Sequence, residues 1–365
     1  TITTENSASL ALGNYSGDVI LKSGSVTKVI SINLSVLQAI IHDFTNANYF
    51  FALDKNKVIL NKTNISSTYV KMVLDMFFQG FGKTYQENQT YTFPFFQGSV
   101  EIYPGEEIQD FFIKAIDFIR ASNPQNQYNL ANVNLIFYEM TDADVVISSF
   151  TLDNVKFAPG KKPKCFPIFT DHSVRSTYPL SLINISVDKL SDKTEIVDLY
   201  TKYQLSKPVF SNSLGIDNFQ FEREKFLQNL ENSIISNSKL QLIPLPSVDE
   251  VVHIEWENQN LVFDWFTAVK KTKETTEIEH ITGESKLYKE EKFDSSYSKP
   301  FTVNTGWIME EEIDLISDLL MSRICIIHYS GKTVKAFPIG KKNELKDSEN
   351  NKFSMDLEFK ILIEK

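Results

Sequence analysis

Few residues in this 365-residue chain have the types and spacing that catalysis requires. The most suggestive run, Gly80 to Thr84, ends in Gly-Lys-Thr, as a phosphate-binding loop does. Such a loop also needs a glycine five residues before its last glycine, so that successive backbone amides can surround the phosphates. Phe77 occupies that place, between Met76 and Phe78, so we expect no nucleotide-binding site here.

The histidines and the closest acidic pair also lack the spacing of a metal site. None of the five histidines lies in a His-Glu-x-x-His motif or in another close ligand spacing; they are His42, His172, His253, His280 and His328. Asp142 and Asp144 resemble the start of a calcium loop, but the apolar residues Val145 to Ile147 follow them, which favours a capped turn. We therefore expect no metal and no cofactor.

Glu101, Glu106 and Glu107 come closest to a pair of catalytic carboxylates. Acid–base catalysis on a glycoside needs two carboxylates at a defined separation in a cleft. Glu106 and Glu107 are already explained by the start of a predicted helix, whose dipole favours negative charge. The sequence therefore predicts no catalytic residue, and we expect the protein not to be an enzyme. A hydrolase that uses Asp171, His172 and Glu101 stays an open alternative.

Composition argues against several other classes of function. The net charge is −10 and no long basic patch occurs, so we expect no nucleic-acid partner. The longest apolar runs, such as Leu261 to Phe263, are far too short for membrane insertion. Cys165 and Cys325 lie far apart, which excludes a disulfide-built scaffold and favours packing as small apolar residues. The first residues do not resemble a signal peptide, so we expect synthesis in the cytoplasm.

The elements that would position any site are mostly strands. Aromatic residues make up 12% of the chain, with 28 Phe and 14 Tyr, a composition that suits strands. We expect a mainly β fold with a few helices (α+β), made of antiparallel sandwich-like or barrel-like domains. Three domains are predicted: a β-rich domain closed by an amphipathic helix at residues 1–124, a second β-rich domain at 125–240, and a C-terminal unit at 241–365 with a hairpin, a charged arm and a helix-plus-sheet end.

Local patterns place individual elements inside these domains. Apolar residues at helical spacing predict helices at Leu34 to Phe44, Glu106 to Ala121 and Phe219 to Ser236. Turn residues between apolar runs predict hairpins at residues 18–32 and 49–60. Residues 270–299 are highly charged. We expect them to form either an exposed arm or long hairpin that a neighbouring subunit orders, or a loose loop.

The C-terminal segment has the clearest local signals. An acidic amphipathic helix is predicted from Met309 to Arg323, followed by a hairpin that turns at Ser330-Gly331. Apolar and polar residues then alternate from Phe353 to Ile361, which is the period of a half-buried strand. A small helix-plus-sheet unit should therefore close the chain.

The order of these C-terminal features resembles that of a known family. Asn304-Thr305-Gly306-Trp307 precedes the acidic helix and the hairpin, and Asn351-Lys352-Phe353 and Glu358-Phe359 follow them. This order is similar to the C-terminal part of tail-tip and distal-tail structural proteins from tailed phages and prophages of Bacteroidetes. The resemblance covers about a sixth of the chain. It implies a virion structural protein of a tail tip, adaptor or baseplate, made in the bacterial host cytoplasm, that assembles as a cyclic homo-oligomer with other virion proteins.

The aromatic residues leave a second function open. Seven of them could be core residues or interface anchors: Tyr91, Phe93, Phe95, Phe96, Trp256, Trp265 and Phe266. If the tryptophans were exposed on a sheet face, they could bind sugars. The alternative function is therefore a β-sandwich module for carbohydrate binding or host recognition, with Trp256 or Trp265 in contact with the glycan.

Overall fold

A computed structural model describes residues 13–36, 40–80, 83–120, 128–178, 181–188, 215–222, 235–236, 240–246, 248–269, 272–283, 291–340 and 354–362. The prediction of a mainly β protein with a few helices is confirmed, because the described residues form several sheets and few helices. Most strand pairs are antiparallel, and none of the described sheets closes into a barrel.

The chain divides into two compact units. Unit 1 comprises Thr1–Phe77, Gln86–Phe111 and Asn132–Phe157, and unit 2 comprises Phe78–Tyr85, Phe112–Ala131 and Ala158–Lys365. The predicted segment 125–240 contains residues 189–214 and 223–234, which lie outside the described residues. The three-domain division therefore stays a prediction.

The first part of the chain contains eleven described strands and one helix. Its elements are β1 (Gly13–Ser23), β2 (Val26–Val36), β3 (Ile40–His42), β4 (Phe50–Phe51), β5 (Val58–Asn61), β6 (Ser67–Gly80), β7 (Lys83–Pro94), β8 (Ser99–Ile102), α1 (Gly105–Arg120), β9 (Tyr128–Asn129), β10 (Ala131–Thr141) and β11 (Val146–Ala158). They form a two-stranded ribbon β1-β2, a three-stranded sheet β3-β5-β8 and a five-stranded sheet β4-β11-β10-β6-β7, while β9 belongs to a sheet of the second part.

The five-stranded sheet follows from alternating apolar residues. On β6, Val70, Met72, Leu74 and Met76 are all buried, while the residues between them are half-buried. Leu74 lies opposite Leu135 of β10 in the antiparallel register, so the two strands contribute to the same core. Residues that alternate in this way bury one whole face of a strand. This burial explains why β6 is a strand, although its apolar spacing is also compatible with a helix.

Helix α1 confirms the strongest helix prediction. Its buried face contains Ile108, Phe111, Phe112, Ala115, Ile116 and Ile119. Phe118 has the helical spacing of that face but is 47% exposed. The helix begins at Gly105, where a Cβ atom would lie 2.0 Å from the carbonyl oxygen of Ala52. Only glycine allows the backbone to come this close at the start of the helix.

Two predictions for the first part are wrong. The helix expected at Leu34 to Phe44 is contradicted, because Leu34 lies in β2 and residues 40–42 form β3, paired with β5. Strands β4 and β5 lie where the second hairpin was expected, but they do not pair with each other. β4 pairs with β11, and β5 lies between β3 and β8, so non-local pairing overrides the local turn signal.

The second part contains fourteen further strands and one α-helix among its described residues. They are β12 (Val174–Thr177), β13 (Leu182–Asp188), β14 (Gly215–Glu222), β15 (Ile235–Ser236), β16 (Gln241–Pro244), β17 (Val252–Glu257), β18 (Phe263–Ala268), β19 (Thr272–Glu274), β20 (Glu277–Gly283), β21 (Glu291–Ser298), β22 (Pro300–Asn304), α2 (Ile313–Met321), β23 (Cys325–Tyr329), β24 (Lys332–Pro338) and β25 (Asp356–Ile361). A short 3-10 turn, Glu310–Glu312, leads into α2.

The sheets of unit 2 are centred on a seven-stranded sheet of order β18-β17-β23-β24-β25-β22-β19. The predicted C-terminal helix, hairpin and alternating strand are confirmed in the described residues, and β25 has strictly alternating burial; Asn351-Lys352-Phe353 lie outside the described residues. Trp256, Phe301, Leu319 and Phe359 belong to one buried core cluster. The second part of the chain also contains the three-stranded sheets β13-β14-β9 and β12-β16-β15 and the ribbon β20-β21. Strands β12 and β16 run parallel.

The helix predicted at Phe219 to Ser236 is wrong in the residues that the structure describes. Phe219 to Glu222 belong to β14, which pairs along seven residues of β13, and residues 235–236 form β15. The remainder of that segment lies outside the described residues. A long antiparallel partner outweighs a short run of helical spacing.

Candidate assembly surfaces

Three turns of unit 1 meet at one end of the five-stranded sheet. The backbone N–H of Lys62 donates to the carbonyl of Gly98 at 2.8 Å, and that of Phe95 donates to Thr68 at 3.0 Å. The Tyr69 hydroxyl donates to the carboxylate of Asp144 in the β10–β11 turn. We call this surface, formed by residues 62–66, 95–98 and 141–146, the sheet tip.

A buried carboxylate holds the first turn of the sheet tip. Glu139 is 4% exposed and accepts hydrogen bonds from the N–H of Thr63 at 2.8 Å, the N–H of Asn64 at 3.3 Å and the Ser148 hydroxyl at 2.7 Å. The Thr63 hydroxyl donates to it as well. Burial alone would raise the pKa of Glu139, but the hydrogen bonds from Ser148 and Thr63 help to hold that pKa below its usual value.

The apex of each turn is fixed by its own local chemistry. The Asn64 side chain accepts from the N–H of Ser66 at 2.9 Å, which closes an Asx turn. Gln97 and Gly98 have φ values of 50° and 85°, as a tight hairpin turn of type I′ requires. Asp144 has a φ of 58°, a conformation that Asp tolerates better than most residues. The three turns are therefore shaped by the unit itself.

Apolar side chains project from these fixed turns. Ile65 is 96% exposed, Phe96 75%, Val145 56% and Val146 51%. With ~60–120 Å² for an exposed aliphatic side chain and ~150–250 Å² for an aromatic one, the four expose on the order of 300 Å². A patch of this size on a monomer often serves an interaction.

The ribbon β1-β2, which we call the first ribbon, is a second exposed apolar surface. Its two eleven-residue strands pair along their full length. Five large apolar side chains in it are 41–68% exposed: Ile20, Leu21, Val26, Val29 and Ile30. Ile20 lies opposite Val29 and therefore shares one face with it, while Leu21 lies on the other. A two-stranded ribbon alone is only marginally stable in water, so apolar residues on both faces favour a partner.

The charged segment at residues 270–299 contains a further ribbon, β20-β21, so the hairpin that was one of the two predictions for this segment is confirmed. Residues 284–290, between its strands, lie outside the described residues. Ile278 and Tyr297 lie opposite each other and are 57% and 47% exposed. The Lys299 ammonium group lies 5.8 Å from the centre of the Tyr297 ring. We call this element the second ribbon.

The interior of unit 2 contains a buried ion pair that the sequence did not predict. The Arg175 guanidinium lies 2.6 Å from the Asp264 carboxylate, and the two side chains are 2% and 4% exposed. Arg175 also donates to the Thr170 hydroxyl at 2.7 Å and to the Trp265 carbonyl at 2.6 Å, and it lies over the Trp265 ring. Because every contact is between protein groups in the interior, this cluster holds the fold and offers no substrate site.

The residues considered for hydrolysis do not form one catalytic set. Asp171 accepts from the N–H of Lys164 at 2.7 Å and from Gln259 at 2.8 Å, whereas the His172 ring lies 3.6 Å from Asp318. Glu101 forms an ion pair with Lys57 at 2.8 Å. These side chains therefore have separate partners, and the geometry gives the hydrolase alternative no support.

The other residues weighed for a site also have structural surroundings. Glu107 accepts from the Tyr91 hydroxyl at 2.5 Å, and Lys83 of the Gly-Lys-Thr run begins strand β7. His253 and His328 lie opposite each other in neighbouring strands. No group of His, Cys, Asp or Glu among the described residues could hold a metal ion.

The aromatic and cysteine predictions have mixed outcomes. Trp256, Trp265 and Phe266 are 0%, 3% and 3% exposed, so the two tryptophans expected to contact a glycan are core residues. Phe96 is the exposed member of the aromatic set. Both cysteines are buried and free, as expected, and burial raises the pKa of the Cys325 thiol to about 12.

In the part of the chain that the structure covers, no helix is long and apolar enough to cross a membrane. No protein-family model matches the sequence, and no curated protein matches it significantly. The function is therefore inferred from the surfaces described above and from the C-terminal resemblance.

Proposed function

We propose that the protein is a structural subunit of a phage or phage-like tail, at the tip, adaptor or baseplate, and that it acts by oligomeric assembly. The observation that carries assembly is the exposure of apolar side chains on two ribbons and a sheet tip. Among the residues whose burial is described, none of these elements supplies a residue of the buried core. Burying them against other subunits would remove apolar surface from water, which is the main driving force of association.

The tail location is supported by the resemblance of the C-terminal segment. The confirmed helix, hairpin and strand follow Asn304 to Trp307 in the order that resembles tail-tip proteins. Thr305 is buried, and the Asn304 side chain accepts from the N–H of Gly306 at 2.9 Å and donates to Asp356 at 2.7 Å. The Asn-Thr-Gly part of the motif therefore joins β22 to β25, a structural role. The proposed partners are copies of the same chain and other virion proteins, in the virion.

The test is the native mass of the purified protein across a wide concentration range, measured by light scattering, with negative-stain images of the same fractions. We expect cyclic oligomers or rings. A second sample carries Ile278→Ser and Tyr297→Ser in the second ribbon, where both side chains are exposed, so that the fold is retained. A wild-type protein that stays monomeric at its highest soluble concentration would contradict assembly through its own copies.

A further inference from the structure

The first ribbon and the sheet tip are both uncovered within one chain. Every residue from Ile20 to Ile30 in the first ribbon is exposed, so this part of the ribbon is not covered by the sheet tip of its own chain. The sheet tip likewise leaves Ile65 almost fully in water. Each surface therefore has an apolar centre without a covering element among the described residues.

The charges on the two surfaces have opposite sign. In the first ribbon, Asp18 and Lys22 share one face and their charges cancel, whereas Lys28 lies opposite Leu21 on the other face, which therefore carries a net +1. The charged side chains at the sheet tip are Asp142 and Asp144, both exposed, and the half-buried Lys62, a net −1. The Glu139 carboxylate beneath the turn adds a further negative charge.

This charge pattern discriminates among the ways in which two copies could meet. Two first ribbons packed through their Leu21 faces would bring the Lys28 side chains of both copies into one interface. Two sheet tips placed together would do the same with Asp142 and Asp144. Like charges brought together at an interface cost free energy, whereas opposite charges steer association. Of these three arrangements, only ribbon on tip joins opposite charges and covers both apolar surfaces.

We infer that the first ribbon of one copy packs against the sheet tip of the next copy. Leu21 and Ile30, which share one face of the ribbon, would cover Ile65 and Phe96, with Lys28 beside the aspartates. Such a contact is heterologous, because it joins two different surfaces, and its repetition closes a ring or extends a filament. The inference rests on the proposed assembly and specifies which surfaces form the contact.

The test uses charge reversal on each surface. The ribbon variant carries Lys28→Glu; the tip variant carries Asp142→Lys and Asp144→Asn, because Asn keeps the positive φ that residue 144 requires. Each variant alone should associate at least about tenfold more weakly than wild type, since attraction becomes repulsion. An equimolar mixture should recover association, because the negative ribbon then meets the positive tip and the unchanged surfaces also match.

Two further variants separate apolar contact from charge. Ile65→Ser should weaken association by about tenfold, because it removes the most exposed apolar side chain of the sheet tip. The matched control, Met321→Ser, removes an exposed apolar side chain at the end of α2, outside all three assembly surfaces, and should leave this contact unchanged. Circular dichroism checks that each variant is folded. High salt should weaken the wild-type contact and abolish the recovery in the mixture.

The outcomes distinguish the contact from assembly in general. A wild-type protein that assembles, with both charge variants assembling equally well, overturns the ribbon-on-tip contact and leaves assembly standing. A mixture that stays monomeric when each variant is folded also overturns it. A wild-type monomer at every concentration contradicts both this contact and the proposed self-assembly.

Discussion

Removing Arg175 should destabilise unit 2 more than almost any other single substitution. Arg175→Met keeps much of the side-chain length but leaves the Asp264 carboxylate, 4% exposed, without its cation. Two hydrogen bonds to Asp264 would remain, from the Thr170 hydroxyl at 2.7 Å and from the N–H of Trp265 at 3.0 Å. They do not neutralise the charge, and breaking a buried pair in this way costs about 3–5 kcal/mol.

The assay is urea unfolding followed by tryptophan fluorescence. The three tryptophans, Trp256, Trp265 and Trp307, all lie in unit 2, so their signal reports the unit that contains the ion pair. The double variant Arg175→Met, Asp264→Leu should be less destabilised than the two single changes predict together, by about 2 kcal/mol or more, because neither charge is then left unpaired.

The matched control is an exposed ion pair of unit 2. Arg323 contacts Asp117 at 2.6 Å, and the two side chains are 44% and 50% exposed. Asp117→Asn should cost about 1 kcal/mol or less, since water screens this contact and Arg323 keeps its second partner, Glu257, at 2.9 Å. Equal losses for Arg175→Met and Asp117→Asn, or additive effects in the double variant, would refute the argument that burial determines the cost.

Three further predictions concern single residues. Glu139→Gln should lower the free energy of unfolding by about 1.5–3 kcal/mol in chemical denaturation at neutral pH, because the hydrogen bonds from Thr63, Asn64 and Ser148 lose their charged acceptor. Since the folded pKa of Glu139 is lowered, its contribution is present above the unfolded pKa and disappears as pH falls through the folded pKa, so wild type and Glu139→Gln should converge in acid. Gly105→Ala should lower the melting temperature, with a cost of about 1–3 kcal/mol, because the new Cβ would meet the Ala52 carbonyl; unchanged melting would contradict that clash. Cys325 should resist alkylation at neutral pH until the protein is unfolded, as mass spectrometry of labelled peptides would show; rapid labelling of folded protein would exclude the buried, protonated thiol.

The elements that the sequence predicted well are those in which one pattern persists over a long segment. In β25 the alternation of Leu357, Phe359 and Ile361 with charged residues allows only one face to be buried. In α1 the broad apolar stripe, with acidic residues in the first turn, fits a helix and does not fit a strand. Such patterns determine local structure because the burial of a complete face depends on that structure.

The failures occur where a short pattern competes with a distant partner. Ile40 and Ile41 suited a helix in spacing, but they pair with Leu60 and Ile59 of β5. β-Branched residues also favour a strand once such a partner is present. No local signal shows which strand will lie alongside, so the second hairpin was predicted with correct strands and the wrong pairing.

The candidate surfaces were only partly readable from the sequence. Phe96 was among the aromatics considered as interface anchors, and the Asp142-to-Asp144 turn was recognised. No sequence pattern indicated that Ile65 would be exposed, because its exposure depends on how Glu139, more than seventy residues away, holds the turn. The Arg175–Asp264 pair was missed for the same reason, since its members are 89 positions apart and only the fold brings them together.

The Glu139 carboxylate and its hydrogen bonds to residues 63 and 64, which we call the Glu139 clamp, also affect the rate at which a partner can bind the sheet tip. Because the carboxylate orders residues 63 and 64 during folding, the loop entropy is lost before any partner arrives. A partner then meets a surface already in its final shape, and its association rate should lie in the range of about 10⁵–10⁷ M⁻¹s⁻¹ that orientation alone allows. Substitutions at the apolar side chains of the sheet tip should then act mainly on how long a complex lasts, while loosening the clamp should slow its formation.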